Sequence, residues 1–436
     1  MKRFLLILFW SAITAAFIGP GTVTTAAKSG AGFGLSLLWA LVFSTVACLA
    51  LQEASARVTI ATDQPLGGVI RTLFGRHRAV PGLVLSSVVL GCAAYEMGNI
   101  LGAVAGLGLC LRFPTLWLTL ATGLLAGLIL WAGTTRTVAR ILGSLVAIMG
   151  VAFLTCAIQL KPPLTALLRN SFVPTFPSGA GILVLGLVGT TVVPYNLFLG
   201  SGLARGQTLN AARLGLVVAI PLGGVISLAI LVTGSVMSGE FTFAGLAETL
   251  ADRLGGWTAT LFALGLFAAG LSSAITAPLA AALSYRGFMG HPQDERWRDT
   301  GGRYRLVWSA VLLFGLGFGL AGVPPIPAIL LAQAFNGVML PLVAVVLWIS
   351  VNDRSIMGEK LLSGWASNVW LGICVLVTVL LGTTGVLRTV AHGLGYEAPQ
   401  ERTLLAVAGA LAAGMSVPLL RRIRKSRLPR RRVCRH

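Results

Sequence analysis

Charged residues are scarce in this chain of 436 residues. They make up 11% of the sequence, against about 25% in soluble globular domains, while hydrophobic residues make up 56%. Together with a mean hydropathy of +0.87, this deficit excludes a soluble globular protein. A barrel of the outer membrane is excluded as well, because its strands would alternate polar and apolar positions. The composition therefore predicts an all-α polytopic membrane protein.

Sequence signatures of resident metals, cofactors and nucleotides are missing too. The six cysteines are scattered, with no CxxC pair and no Cys/His cluster, so neither a zinc site nor a disulfide framework is predicted. There is no Walker sequence, and the longest polar connections are only 161–180 and 286–304. We therefore expect a protein that is not an enzyme, needs no cofactor and functions among its helices.

Twelve apolar segments are long enough to cross a bilayer. They are 4–29, 35–55, 81–108, 115–134, 139–160, 181–203, 212–237, 257–284, 305–322, 326–350, 366–387 and 403–420. When the connections alternate between the two sides, 26 of the 33 Lys and Arg residues fall on one side and six on the other. This bias predicts a plasma (inner) membrane protein with both termini in the cytoplasm. The basic tail, 421–436, is expected to contact anionic lipid headgroups rather than nucleic acid.

The first and sixth spans are both interrupted near their middle. Span 1 contains Gly19-Pro20-Gly21, and span 6 contains Pro194-Tyr195-Asn196. Proline disrupts the preceding helical turn, and unwound backbone survives in a membrane only where it lines a polar cavity. Matching interruptions five spans apart indicate an inverted-repeat transporter, although two repaired proline kinks are the alternative. The predicted units are a first repeat (1–160), a second repeat (161–352), peripheral spans 11 and 12 (353–420) and the tail (421–436).

Three stretches resemble the NRAMP family of divalent-metal transporters. They are SGAGFGLSLLW (29–39), LQEASARVTIAT (51–62) and TTVVPYN (190–196), and the similarity extends over most of residues 1–360. The resemblance implies a LeuT-type fold, in which two inverted five-helix repeats with broken spans 1 and 6 are followed by about two C-terminal spans. It also places Gly19, Thr22, Thr190 and Val193 where the family has metal ligands, namely an Asp, an Asn, an Ala carbonyl and a Met. Tyr195 stands on a family His that is tied to proton movement.

At these four positions the sequence offers hydroxyl groups in place of the carboxylate and the thioether. We therefore predict no metal ligands among them. The predicted substrate-binding residues lie at both breaks and on span 10. They are Gly19, Gly21, Thr22, Thr24, Thr25, Lys28, Thr190, Thr191, Tyr195, Asn196, Gln333 and Asn336. The alternatives are that Lys28 reaches the outer interface, that the threonines bond to their own helices, and that Tyr195 belongs to an interfacial belt.

Two helix N-termini, several hydroxyls and a lysine favour a small organic anion as substrate, a carboxylate such as a citrate-like molecule. The alternative is a divalent cation such as Mg²⁺ or Mn²⁺, bound through hydroxyl and carbonyl oxygens or carried as a metal–carboxylate complex. A third hypothesis is a sensor that keeps the fold without transporting. No nucleic-acid partner is expected.

Two acidic residues near membrane depth are candidates for carrying a coupling proton, Glu96 and Glu53. By the same resemblance, Glu96 stands on an Asp of the family's proton route, and Asn99 replaces a second acid. The alternative for Glu96 is a structural hydrogen bond to a neighbouring helix. Glu53 has an alternative in an ion pair with Arg57, one helical turn away.

Overall fold

The computed structural model describes residues 2–75, 79–132, 135–237, 239–290, 294–393 and 401–427, and every regular element in these ranges is helical. The helices are α1 (Lys2–Phe17), α2 (Pro20–Phe33), α3 (Leu38–Thr62), α4 (Leu66–Phe74), α5 (Ala79–Cys110), α6 (Thr115–Ala132), α7 (Thr135–Gln159), α8 (Leu164–Phe172), α9 (Gly181–Thr191), α10 (Pro194–Ala204), α11 (Leu209–Gly234), α12 (Phe243–Leu254), α13 (Trp257–Met289), α14 (Gly302–Leu320), α15 (Pro325–Ser350), α16 (Arg354–Met357), α17 (Trp365–Gly393) and α18 (Glu401–Arg427). A short 3₁₀ turn covers Glu295–Trp297.

Eleven segments of the described chain are long and apolar enough to cross a membrane, with α9 and α10 together forming one of them. The first span is not among these eleven because its break leaves helices of 16 and 14 residues, each too short to cross alone. Adding it gives the twelve spans that the hydropathy pattern predicts. Span 2 extends further than predicted, to Thr62, so Glu53 lies within it rather than at its end.

Both predicted breaks are present. α1 ends at Phe17 and α2 begins at Pro20, while α9 ends at Thr191 and α10 begins at Pro194. Each proline occupies the first turn of the new helix, where its missing N–H costs nothing. Other prolines lie inside α11, α13 and α15 without ending them, at positions 221, 278 and 341. Proline alone therefore does not account for the two breaks.

Glycines allow the helices around the first break to approach closely. A side chain at Gly30 would meet the carbonyl oxygen of Leu231, and one at Gly234 would meet the backbone of Ala27, so α2 and α11 touch through their backbones. On the opposite side of the break, a side chain at Gly102 of α5 would meet the ring of Pro20. Small residues at such contacts are typical of membrane helix packing. They hold α2 against α5 at its start and against α11 nearer its end.

Candidate substrate site between the two helix breaks

The end of α1 supplies carbonyl groups that its own helix cannot satisfy. Three of them accept hydrogen bonds from side chains: Ala15 from Ser273 (3.3 Å), Ala16 from Tyr195 (3.2 Å) and Phe17 from Thr22 (2.5 Å). The donors come from α13, α10 and α2. The first break is therefore held open by polar groups from three helices, as unwound backbone in a membrane requires.

Two threonine hydroxyls connect the breaks. Thr22 Oγ1 of α2 lies 2.8 Å from Thr190 Oγ1 of α9, and both side chains are buried. Because the Thr22 hydroxyl also contacts the Phe17 carbonyl, the oxygen atoms of three groups converge within one small volume. These threonines stand at two of the positions where the resemblance places family ligands.

A second set of polar contacts involves side chains of α5 and α15. The Tyr95 hydroxyl lies 3.3 Å from the Gly189 carbonyl oxygen and contacts the side-chain oxygen of Gln333. The Gln333 amide fills the space that a side chain at Gly21 would need. Gln333 of span 10 thus lies against the start of α2.

The remaining predicted residues occupy different surroundings. Asn196 donates from Nδ2 to the Ile13 carbonyl (3.4 Å), and its Oδ1 has no partner among the described residues. Thr191 bonds to its own helix at Leu187, the alternative weighed for these threonines. Three further polar atoms are buried without a partner in the described part of the chain: Thr24 Oγ1, Thr25 Oγ1 and Asn336 Nδ2.

Lys28 is not brought together with the breaks. It is partly exposed, and it lies eight residues after Pro20 on the same helix, which is about 12 Å along the axis. No ion pair or hydrogen bond of its side chain is found among the described residues. The backbone of Lys28 therefore lies about two helical turns from the first break.

Glu96 lies beside the first break. Its side chain is fully buried, Oε2 accepts a hydrogen bond from Asn99 Nδ2 (3.2 Å), and Oε1 has no partner among the described residues. A side chain at Gly19 would lie 3.5 Å from Asn99 Oδ1, so Asn99 links the carboxyl group to the break. α14 packs against Glu96 through Gly315. Among the described residues at the breaks, Glu96 is the one acidic side chain.

Glu53 occupies a different place, near the end of the bundle. Its oxygens lie 3.3 Å from Arg57 Nε and 2.7 Å from Arg213 Nη2, so it holds two guanidinium groups together. Arg57 is 4% exposed and also lies within hydrogen-bond distance of the Leu361 carbonyl (3.3 Å). The ion pair with Arg57, which the sequence analysis gave as the alternative for Glu53, is present. It favours a structural role for Glu53.

We expect Glu53→Gln to lower stability by roughly 3 kcal/mol without changing the pH dependence of uptake. The substitution leaves the buried Arg57 guanidinium without its counter-charge, which is costly. Thermal unfolding of the purified protein and uptake between pH 5.5 and 8 would test this. Adding Arg57→Met should restore part of the stability. An unchanged melting temperature with a flattened pH profile would instead assign proton coupling to Glu53.

On the side of α10, the site is closed by a seam of hydrogen bonds to α3. Gln52 donates to the Asn196 carbonyl (2.9 Å), Ser55 donates to the Leu197 carbonyl (2.7 Å), and Thr59 bonds to Ser201 (2.7 Å). An ion pair between Arg205 Nε and Asp63 Oδ1 (3.7 Å) continues this row of contacts. These contacts join α3 to α10 next to the second break.

Ser273, Tyr95 and Gln52 are site residues that the sequence patterns did not identify. Each stands next to another polar residue in a mainly apolar span, which is the signal that could have found them: Ser273 follows Ser272, Tyr95 precedes Glu96, and Gln52 precedes Glu53. Their partners are backbone carbonyls of other helices. Such pairings depend on how the helices pack and leave no spacing in the sequence.

The chemistry of the cluster is that of neutral oxygen donors with one carboxyl group. Hydroxyls, carbonyls and amides surround the breaks, and none of the side chains described above at the breaks is basic. Val193, where the resemblance places a thioether, is a buried aliphatic residue. In the described part of the chain, no three His, Cys, Asp or Glu side chains are grouped as metal ligands. Oxygen-only surroundings suit hard cations better than soft transition metals.

Comparison with known proteins gives a consistent result. The family model described as natural resistance-associated macrophage protein-like (Nramp) matches residues 11–388. A protein of Klebsiella pneumoniae subsp. pneumoniae named divalent metal cation transporter MntH is 27% identical over 382 residues, covering 84% of this chain and 90% of its own. A protein of the same name from Verminephrobacter eiseniae is 29% identical over 367 residues, covering 79% and 81%.

Solved structures agree on the fold. A mutant of the manganese transporter of Eremococcus coleocola superposes with a TM-score of 0.74 at 19% identity, covering 97% of this chain and 94% of that one. MhsT, solved with L-phenylalanine, gives a TM-score of 0.61 at 13% identity, covering 86% and 98%. The fold is therefore the LeuT type that the two breaks and the motifs predict, with two inverted five-helix repeats.

Proposed function

Because this chain belongs to the natural resistance-associated macrophage protein-like (Nramp) family, we propose that it carries a hard divalent cation, Mg²⁺ or Mn²⁺, across the plasma membrane. It is a multi-pass membrane transporter and not an enzyme. The observation that carries the proposal is the Thr22–Thr190 hydroxyl pair, which joins the two breaks at 2.8 Å among oxygen donors without a basic side chain. The relatives named divalent metal cation transporters support it.

The donor set further favours a cation that keeps part of its hydration shell. Threonine hydroxyls and amide oxygens are weaker ligands than the carboxylate and thioether that the family resemblance implies, and Mg²⁺ characteristically keeps several waters when bound. Glu96, which accepts a hydrogen bond from Asn99 at 3.2 Å, supplies the carboxyl group of the cluster. In this proposal Glu96 also carries the coupling proton.

A small organic anion, or a metal–carboxylate complex, is the second candidate. The observation in its favour is that α2 and α10 both begin at the breaks without a side-chain cap, at Gly19 and Val193. Uncapped helix N-termini attract anions. Lys28 lies about 12 Å along α2 from the first break, so this candidate rests mainly on the two helix N-termini and the hydroxyls around them.

Thermal stabilisation of the purified protein separates the two candidates. A ligand at a hundred times its Kd stabilises the folded state by about 2.7 kcal/mol. We expect Mn²⁺ and Mg²⁺ to raise the melting temperature, and citrate with excess EDTA to leave it unchanged. Thr22→Val is the matched control, because it removes the hydroxyl at nearly constant shape and should abolish the shift. Stabilisation by citrate with EDTA, and by no metal alone, would contradict the cation.

Lys28→Gln is expected to strengthen the apparent affinity for the divalent cation by about threefold at low ionic strength. A single and a double positive charge about 12 Å apart repel by about 0.7 kcal/mol in water. The gain should shrink in 0.15 M salt, where screening is stronger. The concentration dependence of uptake measures it, with Lys161→Gln as the control. Weaker uptake in Lys28→Gln would indicate an anionic substrate.

The orientation completes the proposal. The excess of basic residues at one end of the bundle supports cytoplasmic termini, including the basic tail from Arg421. Labelling of a single cysteine introduced in the tail of a cysteine-free variant would test this in intact cells. We expect the tail cysteine to be protected from an impermeant reagent. Labelling of that cysteine from outside the cell would contradict cytoplasmic termini.

A further inference from the structure

A groove between α3, α11 and α17 opens on the lateral surface of the bundle, away from the breaks. Its volume is about 550 Å³. The walls include Val46 and Val217, which are 44% and 55% exposed on helices that cross the membrane. Aliphatic side chains with this exposure on membrane spans contact hydrocarbon. The part of the groove lined by Val46 and Val217 is therefore a surface for acyl chains.

The rim of the groove is basic. It carries Arg57, Arg213 and Lys360 with a single acid, Glu53, so its formal charge is +2. Glu53 is already shared between the two arginines, at 3.3 and 2.7 Å. Lys360 is exposed, with no ion pair among the described residues. The uncompensated charge faces outward beside the apolar walls.

The depth of the rim matches the headgroup region. Arg213 is the fifth residue of α11, and Arg57 lies five residues before the end of α3, which is about 7 Å along the axis. Trp370, in the second turn of α17, lines the same groove, and its indole N–H is buried without a partner among the described residues. An indole donor at this level is typical of the membrane interface, where it bonds headgroup oxygens.

We propose that this groove is a binding site for one anionic phospholipid of the adjacent leaflet. The phosphate would lie between Arg213 and Lys360, and an acyl chain would lie along Val46 and Val217. Basic pockets between membrane helices on the cytoplasmic side bind anionic headgroups. The charge bias assigns this end of the bundle to the cytoplasmic leaflet, which carries such lipids. The site is independent of the substrate that the transporter carries.

Native mass spectrometry of the full-length protein in detergent, titrated with phosphatidylglycerol or phosphatidylcholine, tests the site. We expect one phosphatidylglycerol to bind more tightly than the others and more tightly than any phosphatidylcholine. Arg213→Gln and Lys360→Gln should each weaken this binding by about fivefold, the effect of one basic residue at an anionic surface. Arg296→Gln, which removes a basic residue outside the groove, should leave it unchanged.

A steric variant keeps the test independent of charge. Val217→Trp fills the groove from a position that already faces lipid, so it should reduce phosphatidylglycerol binding without altering the rim. Thermal unfolding would verify that each variant is folded. If Arg213→Gln does not fold, Lys360→Gln still tests the charge of the rim, because that side chain is exposed. Equal binding of the two lipids, or full competition by glycerol phosphate without acyl chains, would overturn the proposal.

Discussion

Gly19→Asp combined with Ser273→Ala is expected to raise the affinity for Mn²⁺ by at least about tenfold. Charge count tunes oxygen-ligand sites over several orders of magnitude, and this variant adds a carboxylate at the first break. A side chain at position 19 would lie 2.6 Å from Ser273 Oγ, so the serine must be shortened to make room. The new carboxyl group would lie next to Asn99, whose amide already bonds Glu96. A divalent cation between the two acids relieves their repulsion.

Gly19→Asn with Ser273→Ala is the matched control, since it has the same shape without the charge. Isothermal titration of Mn²⁺ into the two double variants and into Ser273→Ala alone would isolate the contribution of the carboxylate. For an anionic substrate, the Asp variant would instead lose uptake and gain no Mn²⁺ affinity. Equal Mn²⁺ affinities in the Asp and Asn variants would show that position 19 does not face the substrate.

Glu96→Gln is expected to abolish the pH dependence of uptake while leaving cation binding within about tenfold of the original. The amide keeps the size of the side chain and can still bond Asn99, but it cannot exchange a proton. The loss of the charge accounts for the weaker binding, because Glu96 is the single acid of the cluster. Proteoliposome uptake with and without an inwardly directed proton gradient measures the effect.

The same assay on Glu53→Gln is the control for Glu96→Gln, because Glu53 is a partly buried carboxylate that pairs with two arginines and lies away from the breaks. The other titratable side chains near Glu96 are Cys92, Tyr95 and Tyr195, which lie on α5 and α10. If Glu96→Gln kept its full response to the gradient, the proton would travel elsewhere or a different ion would drive uptake.

The architecture was predictable because its signals are local. Apolar length gives the spans, and the asymmetry of basic residues separates the two ends of the bundle. The breaks were predictable because prolines at residues 20 and 194 interrupt two spans that stand five apart. The uninterrupted path of α13 through Pro278 shows that a proline alone does not end a helix.

The site was predictable in its location more than in its chemistry. The breaks bring Thr22 and Thr190 together, and Gln333 reaches the first break as expected. The number of residues from the break to Lys28 was known, but whether its side chain turns back toward the break depends on packing. Tyr195 bonds a carbonyl of the other break, which is a contact between helices 179 residues apart in sequence. Contacts of this kind decide which polar groups remain available to a substrate.

The sign of the transported charge is the most direct measurement of the central claim. Purified protein in proteoliposomes on a solid-supported membrane would be exposed to Mg²⁺ or Mn²⁺, and then to citrate with EDTA, at constant pH and salt. We predict a transient current that carries positive charge into the vesicles with either cation, no current with citrate, and loss of the cation response in Thr22→Val. A current or uptake elicited by citrate alone, with none for the cations, would contradict a cation as the substrate.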